Sequence, residues 1–158
     1  MASSHWRAYL AVIVVALILM AGALQMHGAL AVYGIRPDLM LVVLIVSALF
    51  TDNFLLYLLL TLIASIGIRF APGFGPEAFA LVVVSLGVFA VKSKIVWPGL
   101  LGSAILIGAG TIAVYTLGSM QFLFRHPGIV AAEALYNIVL AAILYEVLQL
   151  ITRYEKKA

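Results

Sequence analysis

Charged and strongly polar residues occur along this chain almost only as short interruptions between long apolar runs. The first run ends at Gln25-Met26-His27, and Arg36-Pro37-Asp38 opens the second. Asp52-Asn53 separates the second from the third, which closes at Arg69 ahead of the turn Ala71-Pro72-Gly73-Phe74-Gly75-Pro76. Lys92-Ser93-Lys94 ends the fourth, Gln121 to His126 reads as the last loop, and Thr152-Arg153-Tyr154-Glu155-Lys156-Lys157 forms a polar tail. Leu39 to Phe50 and Ala78 to Val91 are apolar on nearly every side, each broken by one serine. Strands of a membrane barrel alternate with period two, whereas a helix satisfies its own N–H and C=O groups and can be apolar all round. The pattern therefore predicts an all-α integral membrane protein. Its six transmembrane helices, in three hairpins, cover about 8–26, 37–51, 54–68, 77–91, 96–117 and 128–151, within a single polytopic domain over 1–158.

Composition agrees. Of 158 residues, 66% are hydrophobic and 9% charged. Soluble domains hold about a quarter charged residues, so the solvent expected here is lipid. With no cysteine, disulfides, thiol nucleophiles and cysteine metal sites drop out. The net charge of +3 comes from scattered Lys and Arg, which serve as topology signals and give no nucleic-acid footprint. Arg7, Lys92, Lys94, Arg153, Lys156 and Lys157 fall on the side of the termini, against Arg36, Arg69 and Arg125 on the other, so both termini are expected in the cytoplasm. Arg7, the following apolar stretch and Ala21-Gly22-Ala23 share the outline of a cleaved signal peptide, but the length and apolarity of the run favour its retention.

Prolines recur at the ends that start the descending helices. Pro37 precedes Asp38, Pro76 precedes Glu77, and Pro127 follows His126, so each of these helices is expected to begin with proline at its first position, where no hydrogen bond is lost. Acids in the first turn complement the helix dipole. Arg36 and Asp38 at this boundary suit a local salt bridge or lipid headgroups, and Arg69 is read in the same way.

Polar residues inside a span are costly and few. Glu133 and Asn137 lie four apart and share a face of the last helix, suited to bonding a neighbouring helix or Arg125. In the fifth helix Gly99, Gly102, Ser103 and Gly110 fall on one face, which allows close approach of another helix. The histidines His5, His27 and His126 stand at ends or loops, away from acids at metal-ligand spacing. Neither a nucleophile elbow nor a glycine-rich phosphate cradle is present. An enzyme is not expected, and neither a cofactor nor a metal is implied.

The stretch Arg36-Pro37-Asp38-Leu39-Met40-Leu41-Val42-Val43-Leu44 resembles the second-helix opening of the MreD family, small membrane subunits of the bacterial rod-shape system. The final helix, Ala134-Leu135-Tyr136-Asn137-Ile138-Val139-Leu140-Ala141-Ala142-Ile143-Leu144, is similar to that family's last span with its asparagine. Between them, Gly67 to Ala80 is similar in character to a family turn, departing at Arg69, where the family usually carries an acid. The resemblance implies a non-enzymatic scaffold of the elongasome in the bacterial inner membrane. It would bind MreC and couple it, with cytoplasmic MreB, to RodA and its transpeptidase partner in peptidoglycan synthesis and cell shape. MreD is similar in architecture to the substrate-binding S components of energy-coupling-factor vitamin transporters, which supply the alternative function. Against that alternative, Ala8, Ala11, Ala16, Ala21 and Ala23 include no pair four apart, the spacing those proteins use for their coupling subunit. The short outer loops are also poor in side chains for a vitamin pocket, so membrane lipid is an expected partner and a small-molecule ligand is not.

Overall fold

The structure, a computed structural model, describes residues 4–28, 30–67, 76–94 and 99–155. Arg69 lies outside the described residues. The chain is built from helices α1 (Ser4–His27), α2 (Leu39–Phe50), α3 (Phe54–Gly67), α4 (Pro76–Val91), α5 (Leu100–Gly118), α6 (Met120–Arg125) and α7 (Pro127–Glu155). A single tight turn at Lys92–Lys94 extends α4.

Among the described residues, four segments are long and apolar enough to cross a membrane: Ala8–Gln25, Pro76–Lys94, Leu100–Gly118 and Pro127–Arg153. The expectation of six such spans is thus met in part. At 1.5 Å per residue the 12 residues of α2 reach about 18 Å and the 14 of α3 about 21 Å, short of the roughly 30 Å of hydrocarbon. The apolar runs were located closely by the sequence. What ends α2 early is its punctuation, Pro37-Asp38 at one end and Thr51-Asp52-Asn53 at the other.

Helix α2 is the axis of the bundle. Ten consecutive residues, Leu39 to Ala48, are buried, so no side of it faces lipid. It packs against α1, α3, α4, α5 and α7. Around it, α1 adjoins α3, α3 adjoins α4, α4 adjoins α5, and α5 adjoins α7. Each outer helix turns one stripe inward, as Leu10, Val14, Ile18 and Ala21 of α1 and Tyr57, Leu60, Thr61 and Ala64 of α3 illustrate. The opposite faces carry exposed apolar side chains, including Leu55, Leu59, Leu62 and Ile66 of α3 and Leu135, Val139, Ile143 and Val147 of α7. In water such a surface would be a liability; in a bilayer it is the solvated face. Tyr57 is fully buried, stacks on Phe89, and places its hydroxyl 3.2 Å from the carbonyls of Leu44 and Ser85, tying α3 to α2 and α4.

Both ends of this short axial helix are capped, the first by its own flanking residue and the second from α4's extension. At its start the Asp38 carboxylate accepts the Leu41 N–H at 3.0 Å. At its end Lys92 Nζ donates to the carbonyls of Ala48 and Thr51, which the helix leaves without partners. Lys92 also lies 3.6 Å from the exposed Asp52 and 4.1 Å from the Phe89 ring centroid. Gly22 of α1 sits against Met40 of α2, and Gly118 of α5 against Glu77 of α4. The end of α1 therefore adjoins the start of α2, and the end of α5 the start of α4. Gly99, ahead of α5, meets Tyr145, late in α7. These contacts sort the helix ends into two poles: the Asp38 pole, and the Lys92 pole, which holds the first residues of α1 and the last of α7.

Three local expectations change. Pro76 and Pro127 open α4 and α7, but Pro37 precedes the cap of α2 and is not its first residue. The polar Asp38 takes the cap because its carboxylate can reach the Leu41 N–H, a bond proline has no group to make. Gln121 to His126, read as a loop, is mostly the six-residue α6. Gly99 is not inside α5 but caps it, with φ +63°, a conformation that favours glycine.

Candidate functional site

At the Asp38 pole the axial helix stops short of its neighbours. Space remains above Asp38 and Met40, forming a cavity of about 840 Å³. Its walls come from the last turns of α1 (Gly22, Gln25), the segment 34–38, the start of α4 (Glu77, Leu81), the end of α5 (Val114, Tyr115), Phe122 of α6, and the start of α7 (Ile129, Glu133). Helix ends build it, which is why loop composition gave no sign of it.

A buried polar ladder joins α5 to α7 beneath and beside this cavity. Asn137 is fully buried. Its Oδ1 accepts the Asp38 N–H at 2.9 Å, and its Nδ2 donates to Thr111 Oγ1 at 3.1 Å. Thr111 Oγ1 in turn donates to the Ile107 carbonyl at 2.9 Å. One turn toward the pole, the Tyr115 hydroxyl donates to Glu133 Oε2. Thr111 and Tyr115 are four apart on α5, and Glu133 and Asn137 four apart on α7, so two antiparallel helices present matched rungs. The shared face predicted for Glu133 and Asn137 is the inward one, and their partners lie on neighbouring elements, not at Arg125.

The sequence-predicted residues are thus only partly convergent. Pro37, Asp38, Glu133 and Asn137 come together, with Arg36 exposed at the cavity rim beside Gly28. Arg36 makes no salt bridge to Asp38; the ion pair among the described residues is Lys92 with Asp52. On α5, Gly102, Ser103 and Gly110 are buried as expected of a close-packing face. A Cβ on Gly110 would stand 2.6 Å from Ile45 Cδ1 of the axial helix, so the glycine is what lets α5 approach α2. Sequence reading missed Gln25, Glu77, Thr111 and Tyr115. For the last two the signal existed, a polar pair four apart in an otherwise apolar span.

Among the described residues, no group of three or more His, Asp or Glu side chains is close enough to hold a metal ion. No protein-family model, curated protein or solved structure matches the chain.

Proposed function

We propose that this chain is a non-catalytic membrane scaffold of the MreD kind. It sits in the bacterial inner membrane with both termini cytoplasmic, binds MreC, and couples it with MreB to RodA and its transpeptidase partner in wall elongation. One observation carries the reading. The two stretches most similar to that family, Arg36 to Leu44 and Ala134 to Leu144, are joined directly by the Asp38 N–H bond to Asn137 across 99 positions of sequence. The asparagine and the Pro-Asp opening therefore form one structural device, in which the last helix fixes the start of the axial one. The polar residues on the axis are absorbed in holding the bundle together, and the outer helix faces are left apolar for lipid and for lateral partners. Lys92, Lys94 and Arg153 gather at the pole of the termini, which the positive-inside rule assigns to the cytoplasm.

Depletion of the protein in a rod-shaped host tests the proposal: cells are expected to round up, and retention of rod shape contradicts it. A second reading, a substrate-binding S component, is favoured by the cavity alone. It requires vitamin binding together with association with an ATPase module, and a flat thermal-shift screen across vitamins removes it.

A further inference from the structure

The cavity at the Asp38 pole has a chemistry that the scaffold reading does not use. The chain has six acidic residues in all, and three of them, Asp38, Glu77 and Glu133, line this one cavity. Of the Lys and Arg among the described residues, only Arg36 does, from the rim. In a chain of net charge +3, the described lining of the cavity is thus locally acidic. Two of the acids have a simpler role, since Asp38 caps α2 and Glu77 lies in the first turn of α4, where either complements a helix N-terminus.

Glu133 has no such role. It stands in the second turn of α7, is 8% exposed, and is placed where an ionisable group is expensive. Tyr115 occupies Oε2, while Oε1 makes no hydrogen bond among the described residues and is left to the cavity. The three carboxyl groups do not gather closely enough to hold a metal ion. Between them the wall is apolar, with Met40, Leu81, Val114 and Ile129, and Phe122 from α6. A cavity of about 840 Å³ lies within the range of roughly 300–1,000 Å³ that suits drug-sized molecules.

We propose that this cavity binds an organic cation with an apolar body, its ammonium or equivalent group held at Glu133 and its body against the apolar wall. The inference rests on the cavity and not on the scaffold reading, so either can fail without the other.

The test uses the full chain in phosphatidylcholine nanodiscs, with empty nanodiscs as blank. The probe is a fluorescent styryl N-methylpyridinium dye, and its uncharged pyridine parent serves as the matched neutral. Saturable binding of the cation, with the parent at least about tenfold weaker, is the expected result. Glu133→Gln keeps an acceptor for the Tyr115 hydroxyl and removes the charge, and it should weaken the cation about tenfold while leaving the parent unchanged. Asp52→Asn, at the opposite pole, should change neither. Equal binding of the two probes marks a merely apolar hole and overturns the proposal. So does the absence of saturable cation binding, or cation binding insensitive to Glu133→Gln. If Glu133→Gln unfolds the chain, Glu77→Gln on the exposed rim replaces it, with selective weakening of the cation expected and no change overturning the proposal.

Discussion

Asn137 accepts the backbone N–H of Asp38 at 2.9 Å, so the last helix holds the N-cap residue of a helix 99 positions earlier in the chain. Asn137 itself is fully buried, and the same side chain spends its amide donor on Thr111. Asn137→Leu should therefore leave the Asp38 N–H without its partner and Thr111 Oγ1 with only its bond to the Ile107 carbonyl, and lower stability by about 1–3 kcal/mol. Unfolding of the purified protein in detergent measures this. A change near zero means that water or another group already serves Asp38.

The second rung gives a coupling prediction. Tyr115→Phe and Glu133→Leu each remove the bond between α5 and α7, and in a double-mutant cycle the pair should couple by about 0.6 kcal/mol, the average for hydrogen bonds between membrane helices, and by no more than about 1.7 kcal/mol. Additive effects would mean that the contact contributes nothing to stability.

At the other end of the axial helix, Lys92 serves two carbonyls and one exposed carboxylate. Among the described residues the carbonyls have no other hydrogen-bond partner, whereas the Asp52 side chain is fully exposed. Lys92→Met is expected to destabilise by about 1–3 kcal/mol, and Asp52→Asn to have no measurable effect. Thermal unfolding of the two variants at low and high salt checks this; a salt-sensitive loss confined to Asp52→Asn would reverse the assignment.

Glycines with opposite surroundings make a paired test of packing. A Cβ at Gly110 would press on Ile45 Cδ1, while one at Gly87 meets nothing within 4 Å. Gly110→Val should cost about 1–3 kcal/mol by overpacking, with partial recovery on adding Ile45→Val. Gly87→Ala should stabilise by up to about 1 kcal/mol through helix propensity. Denaturation of the three variants beside the parent decides it, and equal signs at the two glycines contradict the packing described for α5 on α2.

Much of the architecture could be read from the chain, because punctuation in an almost wholly apolar sequence is unambiguous. Pro76 and Pro127 start helices as their fixed φ and missing N–H dictate, and Glu133 and Asn137 share the buried face that their spacing implies. The place of α2 was not legible. A run apolar on all sides describes a lipid-crossing helix and a helix enclosed by protein equally well, since neither presents a side to water. Nor was the cavity, which exists because an axial helix of 12 residues ends below α1, α4, α5 and α7, of 16 to 29 residues. The start of α2 is marked locally by Pro37-Asp38, but the tertiary bond that Asn137 adds at the Asp38 N–H has no local record.

The most direct test of the scaffold role is affinity purification of the tagged protein from its own membranes in mild detergent, with identification of what accompanies it. Recovery of MreC, together with the RodA synthase and its transpeptidase, is the result predicted. Recovery of a membrane-coupled ATPase module in the absence of MreC would contradict it.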